Sequence, residues 1–520
     1  MNRKATSDLW WKNAVVYCLD IETFLDADGD GCGDIAGLTD RIDYLGGIGV
    51  SCLWLMPFYP SPRRDDGYDI TDFYGVDGRF GTAGDFAELI RTAADRGIRV
   101  IADLVVNHTS KDHPWFQEGR ERDSPYHGFY VWANRKPPEK PGDVVFPDKE
   151  KSNWAYDRKA RQWYLHRFYS HQPDLNVANV EVRDEIAQVV GYWLEQGLAG
   201  FRVDAVPFLL EPMGMPKGAL QDPHDLLCDL RRFMGRRRGD AILLGEVNLP
   251  PADQRAFFGD EDGDELHMVL SFTVNQAMYL AFARGEAAPL ERALRALPPI
   301  PEDAQWANFV RNHDELTLDK LSEEERAEVF AAFGPQKRHQ LFGRGLRRRL
   351  PSMVGGDQDR IRLAYSLMFS LPGTPVLFYG EEIGMEEDLA RPGRLSVRTP
   401  MEWDRVAAQR RDHESLLMWM ERLIRRRREC PELGWGATTV LDSGDSAVFA
   451  HRAEWQESAI VAVHSLAEAP RTVRIESKHP LVDLFGHDEL KPSRGRVEVP
   501  LGRYGARWFR VRRRGAPLPP

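Results

Sequence analysis

Eight short apolar runs, each too short for a helix and rich in β-formers, recur along the chain at 15–20, 51–57, 100–107, 200–206, 242–248, 268–272, 308–312 and 375–379. Runs of this kind read as strands buried on both faces, as in a parallel sheet. Amphipathic stretches such as 85–96 and 182–196 lie between several of them. Parallel strands need crossover connections, so eight strands with intervening helices predict an α/β fold, a (β/α)8 TIM barrel. Polar and charged residues fall just past the runs: His108, Asp204, Glu246, Asp314 and Glu381. A barrel of this class assembles its active site at the C-terminal ends of its strands.

Two connections are longer than a simple loop requires. The segment 109–172 is rich in Pro, Trp, Tyr and charge and lacks helical periodicity, which predicts an irregular domain inserted after strand 3. A second insertion, 316–356, holds an Arg-rich segment expected to be helical. The barrel itself is assigned to 1–108 and 173–432. From 433 to 520 the pattern changes to short alternating runs, at 438–441, 447–451, 459–464, 472–476 and 507–511. That pattern predicts a C-terminal antiparallel β-sandwich.

With 520 residues, 42% of them apolar and 10% aromatic, the chain can bury a large core. A net charge of −11 argues against nucleic acid as a partner. The arginine runs at 236–238, 347–349, 425–428 and 512–514 read as solvated faces. No window of about 18 apolar residues occurs, so no membrane span is expected. The first residues lack the apolar core of a signal peptide. Five widely spaced cysteines (Cys18, Cys32, Cys52, Cys228, Cys430) form no Cys-x-x-Cys pair. Together these features predict reduced thiols and a cytoplasmic location.

The run Gly200-Phe201-Arg202-Val203-Asp204-Ala205-Val206 carries two charges inside an apolar strand. Residues two apart share a strand face, so Arg202 and Asp204 point the same way. A buried carboxylate is costly unless paired, and an adjacent Arg lowers its pKa. Glu246 and Asp314 stand at two other strand ends. Two carboxylates reaching one substrate from different strands suit glycoside hydrolysis. One attacks the anomeric carbon while the other protonates the leaving oxygen, the pair about 5–5.5 Å apart in a retaining enzyme. The nucleophile must stay ionised and the acid protonated near neutral pH.

Four segments then carry a resemblance: Ala102-Asp103-Leu104-Val105-Val106-Asn107-His108, Gly200-Phe201-Arg202-Val203-Asp204, Gly245-Glu246-Val247-Asn248 and Arg311-Asn312-His313-Asp314. In order and spacing they resemble the signature segments of the α-amylase superfamily, glycoside hydrolase family 13, and Gln172-Pro173-Asp174-Leu175-Asn176 resembles its fifth. The resemblance implies Asp204 as nucleophile, Glu246 as general acid/base and Asp314 as the acid that orients the sugar and stabilises the transition state. It implies sugar contacts from Arg202, His108 and His313. Asp65-Asp66-Gly67-Tyr68 is similar to a segment in which an Asp, here Asp65, and Tyr68 line the same subsite. Ser396-Val397-Arg398 is similar to a segment in which Arg398 would pair with Asp65 and close the pocket behind one glucose.

Asp26-Ala27-Asp28-Gly29-Asp30-Gly31-Cys32-Gly33-Asp34 alternates acids with glycines, as an oxygen-lined Ca²⁺ turn does. No Glu follows at the twelfth position, as an EF-hand would require. The loop is similar to the calcium loop of the oligo-1,6-glucosidase and trehalose synthase branches, which implies Asp26, Asp28, Asp30 and Asp34 as ligands with the Cys32 carbonyl. A second Ca²⁺ is implied at Asn107, Asp174 and Glu211, with carbonyls near Phe208 and Leu209. The nearest likeness is to the trehalose synthase branch, through 166–176, 311–318 and 345–350. That implies a small α-glucoside such as maltose as substrate and adds Asn248 and Glu315 to the binding set. The segments after Glu246 and before Arg398 depart from that branch and are expected to face the leaving-group sugar. Hydrolysis, transfer and isomerisation therefore remain open alternatives, as does a non-catalytic sugar-binding barrel.

Overall fold

Eight parallel strands close on themselves in a computed structural model describing residues 9–140, 142, 144–210, 222–260 and 263–513, the seventh beginning three residues before its run at 308–312. They are β1 (Val16–Leu19), β2 (Cys52–Leu55), β3 (Arg99–Leu104), β4 (Gly200–Val203), β5 (Ile242–Gly245), β6 (Met268–Leu270), β7 (Gln305–Phe309) and β8 (Thr374–Phe378). Each pairs in parallel with the next, and β8 returns to β1. Every residue of β1, β2, β4 and β5 is buried. The barrel interior covers one face and the helices cover the other, which is why the sequence shows continuous apolar runs.

The surrounding helices start on local signals. Thr82 and Asp85 form a capping box on Ala83–Asp95, Asn179 caps Val180–Glu195, and Asp357 caps Gln358–Ser370 through two backbone N–H groups. Each such cap satisfies donors that the helix itself cannot, for about 1 kcal/mol.

The insertion after β3 is less irregular than its composition suggests. It holds two short helices, Pro114–Gly119 and Pro125–Phe129, and a three-stranded antiparallel sheet of Trp132–Ala133, Gln162–Leu165 and Trp154–Asp157. Val131, Trp154 and Leu165 form its small apolar cluster. Two isolated bridges, His108 to Asp174 and Tyr130 to Leu175, stitch it to the barrel.

The segment 316–356, expected to be helical, is mixed. Its main helix is the acidic stretch Glu323–Phe333, whereas Leu316–Thr317, Gln340–Leu341 and Gly345–Leu346 make a small antiparallel sheet. The arginines that suggested a helix lie past that sheet and bond to backbone carbonyls. Arg347 Nη2 donates to Leu389 and Arg391, and Arg349 donates to Tyr379 and Val397. Carbonyls stranded in loops supply partners that a helix surface would not.

The C-terminal region is a sandwich. Six strands (Ala437–Leu441, Val448–Trp455, Ser458–Ser465, Ala506–Val511, Leu481–Asp483, Glu489–Leu490) form one sheet, and Arg471–Glu476 pairs with Arg496–Leu501 in the other. Val461 and Phe509 from the first sheet meet Ile475 and Val497 from the second in a core of their own. Trp508 and His464 both bond Ser366 Oγ on the barrel helix Gln358–Ser370, at 3.0 Å each.

Gly200 opens β4 at φ +143°, and a Cβ there would lie 2.2 Å from the Ile242 carbonyl oxygen of β5. Both the conformation and the space demand glycine. Gly200→Ala is expected to lower unfolding stability by about 2–3 kcal/mol, read from the urea midpoint. A shift below about 0.5 kcal/mol would show that β4 and β5 can separate without cost.

Candidate active site

Asp204 follows directly on β4 and Glu246 directly on β5, so neighbouring strands of fixed register deliver them side by side. Arg202, 2% exposed, sits beneath both. Its Nη1 donates to Asp204 Oδ1 at 2.6 Å and its Nη2 to Glu246 Oε2 at 2.7 Å. Nη1 also donates to Asp103 Oδ1 at 2.6 Å, since Asp103 on β3 lies directly opposite Arg202 in the ladder. The sequence reading missed Asp103. Its signal was a lone carboxylate inside the apolar run of β3.

Ala205, immediately after Asp204, has φ +49°. This left-handed turn directs its N–H to Glu246 Oε2 at 3.1 Å. The conformation is unfavourable for a residue with a Cβ, and such residues concentrate at functional sites.

The three strand-end acids differ electrostatically. Burial pushes Asp204 up to about 6, against the opposing pull of Arg202. Burial raises Glu246 as well, with Arg202 again opposing and the Asp204 charge adding to the rise. Asp314 goes the other way: burial is outweighed by Arg394, His313 and Arg398, which hold it well below the usual carboxylate range. Arg398 Nη2 donates to Asp314 Oδ1 at 3.1 Å and Arg394 Nη1 lies 3.0 Å from the same oxygen.

The Asp65–Arg398 pair does not form. Arg398 Nη1 binds Asp66, while Asp65 Oδ2 accepts from Gln172 Nε2 at 2.8 Å. Asp66 has φ +52°, and that turn aims Asp66 rather than its neighbour at Arg398. Arg398 and Arg63 keep Asp66 ionised against burial, whereas burial lifts Asp65 to about 7.

Tyr68 donates its hydroxyl to Asp103 Oδ2 at 3.1 Å and meets His313 Nε2 at 2.8 Å, the two rings lying 9° from parallel. His108 Nε2 donates to the Tyr68 carbonyl at 3.1 Å, and burial lowers its pKa to about 4, so the ring is neutral. Asn248 Nδ2 donates to Asp319 Oδ1 at 3.0 Å, and Glu315 Oε2 accepts from Arg394 Nε at 2.7 Å.

These groups surround a cavity of about 720 Å³, large enough for a small ligand. Asp204, Glu246 and Asp314 line it together with Asp65, Tyr68 and His108. Asn248 and Glu315 line it too. Arg202, His313 and Arg398 are not among its lining residues; they stand behind and hold the acids and Tyr68. Arg394, which the sequence reading passed over, is on the wall.

Asp26, Asp28 and Asp34 bring carboxylate oxygens within 4.8 Å of one another, a hard-oxygen set that fits Ca²⁺. Asp30 is not in that cluster; its Oδ1 accepts from Cys32 N at 2.7 Å. At the second expected site Glu211 lies outside the described residues. Of the others, Arg167 bonds two: Asp174 (Nε to Oδ2, 3.4 Å) and the Phe208 carbonyl (Nη1 to O, 2.8 Å). Asn107 Nδ2 contacts His108 Nδ1 at 3.4 Å.

Residues 21–332 match the family model for the α-amylase catalytic domain, and 458–510 match that of the sucrose hydrolase-like C-terminal domain. The trehalose synthase/amylase TreS of Mycobacterium tuberculosis (strain CDC 1551 / Oshkosh) is 38% identical over 98% of this chain and 92% of its own length. That of Mycolicibacterium smegmatis is 38% identical over 98% and 93%. Among solved structures, an α-amylase from H. orenii superposes with a TM-score of 0.78 at 26% identity, covering 96% of this chain and 100% of the other. The shared catalytic-domain model and near-full-length relatives agree with the barrel, and the chain belongs to the α-amylase family, glycoside hydrolase family 13, as an enzyme of the glycoside hydrolase and transglucosidase type.

Proposed function

We propose that this enzyme interconverts maltose and trehalose by a retaining mechanism through a covalent glucosyl–Asp204 intermediate, with some hydrolysis. The observation that carries the reading is the Arg202 fork, which sets Asp204 and Glu246 beside each other on one cavity. The relatives named trehalose synthase/amylase support the same choice.

In the first step the Asp204 carboxylate attacks C1 of the donor glucose, and the departing oxygen takes the Glu246 proton. Asp314, ionised by two arginines, binds the ring and stabilises positive charge at C1. In the second step Glu246 accepts a proton from an acceptor hydroxyl, whose oxygen replaces Asp204 at C1. If the acceptor is the same glucose turned to present its anomeric hydroxyl, the product is trehalose. Tyr68 and His108 form the wall around the donor ring. A closed chamber is needed because water competes for the intermediate. An α-glucosidase or a transglucosidase with another acceptor would share the first step and differ in the second.

Ca²⁺ at Asp26, Asp28 and Asp34 would tie down the loop ahead of the helix Ile35–Asp40, which Asp34 itself caps. Among the described residues no helix is long and apolar enough to cross a membrane.

Incubation with maltose followed by sugar analysis is expected to give trehalose as the main product; glucose alone would replace the isomerase with an α-glucosidase. Asp204→Asn is expected to cut turnover by about 10⁴-fold or more with the circular dichroism spectrum unchanged. Near-normal activity would remove Asp204 from the nucleophile role. The kcat/KM profile should fall below about pH 6 as Asp204 takes a proton and loses nucleophilicity. It should fall again on the alkaline side as Glu246 loses the proton it must donate. A rate independent of pH between 4 and 6 would contradict the assignment. Chelation by EDTA is expected to lower the Tm, and an unchanged Tm would speak against the Asp26–Asp34 site.

A further inference from the structure

Arg394 stands in the short turn Gly393–Val397 after β8 and lines the cavity. Besides Asp314, its guanidinium grips Glu315, with Nε donating to Oε2 at 2.7 Å. The same group lies 5.3 Å from the ring centroid of Phe146, in the insertion after β3, and 5.8 Å from that of Phe342, in the 316–356 insertion. The two rings are themselves 4.8 Å apart. Arg344, two residues past Phe342, donates to the Val145 carbonyl at 3.0 Å and lies 3.9 Å from Glu315 Oε1. Three excursions from separate barrel connections therefore meet the Asp314–Glu315 loop at one cation.

Arg394 shares the task of keeping Asp314 ionised with Arg398, which donates to the same Oδ1. The extra cation adds a mechanical link. A planar fork can hold two carboxylates while stacking on aromatic faces, which a point charge cannot. The link fixes the distance between the donor-side acid Asp314 and the wall contributed by Phe146, which Phe342 backs from outside the cavity.

We infer that Arg394 is a specificity-determining positioning residue that keeps the chamber closed while the glucosyl–Asp204 intermediate waits, and so sets its partition between sugar acceptor and water. The inference rests on the retaining transfer reading above. Either acceptor completes the same balanced step: its hydroxyl proton passes to Glu246, its oxygen bonds C1, and the ester bond to Asp204 breaks. Only retention of the freed glucose differs, and that depends on the walls.

The test follows maltose consumption by Arg394→Met and Arg394→Lys, with the ratio of free glucose to trehalose as the readout and cleavage of α-glucosyl fluoride as a measure of the first step. Arg394→Met is expected to raise the glucose-to-trehalose ratio about tenfold while fluoride release falls less, because Arg398 still serves Asp314. Arg394→Lys should recover fluoride release more fully than it recovers the ratio. Phe342→Ala, which removes one stacking ring and keeps both ion pairs, should move the ratio about threefold in the same direction; it provides the test if Arg394→Met does not fold. A ratio unchanged in the variants while all rates fall together would overturn the proposal and leave Arg394 a brace. A wild-type enzyme that releases fluoride but forms only glucose from maltose would overturn both the proposal and the isomerase reading while sparing the retaining chemistry. Absence of fluoride release would overturn all three.

Discussion

One guanidinium faces three carboxylates at the top of this barrel. Burial favours the protonated forms of Asp103, Asp204 and Glu246, and Arg202, shared among all three, opposes it only in part. The physical outcome is that all three hold their protons more tightly than free side chains do. Asp314 has the opposite ratio, one carboxylate against Arg394 and Arg398, and stays ionised. The count of cations per acid thus sorts residues of the same chemical type into proton holders and a fixed negative charge. Within the first group the Asp204 charge adds to the rise of Glu246, which favours Glu246 as the carboxyl that carries the proton.

The parts of the fold readable in the sequence are those where local pattern and tertiary environment agree. The eight strands could be found because burial on both faces leaves them mostly apolar, with Asp103 and Arg202 as the buried charged exceptions and Asp204 and Glu246 just past the ends. The sandwich strand Arg471–Glu476 shows the complementary case, with exposed and buried positions alternating because one face meets solvent. What could not be read depended on turns and on partners distant in sequence. Asp65 and Asp66 are adjacent acids, and only the left-handed turn decides which one meets Arg398. Arg347 and Arg349 resembled a helix face until their loop carbonyl partners, 30 to 48 residues away, were in view. The contacts of Arg167 to Asp174 and to the Phe208 carbonyl are likewise beyond the reach of the motif alone.

The division of labour between strands and excursions follows from rigidity. Strand ends carry the acids proposed to act on the glycosidic bond, where small displacements cost rate. The excursions after β3, β7 and β8 carry the aromatic and arginine walls of the cavity. Relatives can therefore share the first chemistry closely and diverge in the second without disturbing the barrel beneath.

The left-handed backbone at Ala205 has a consequence for how far this site could be stabilised. Glycine there would relieve about 1 kcal/mol or more of local strain. It would also free the peptide plane whose N–H is aimed at Glu246. Alanine holds that plane in a narrow range because few other conformations are open to it. The position trades folding free energy for angular precision, and a search for more stable variants would be drawn first to the residue whose discomfort keeps the acid in line.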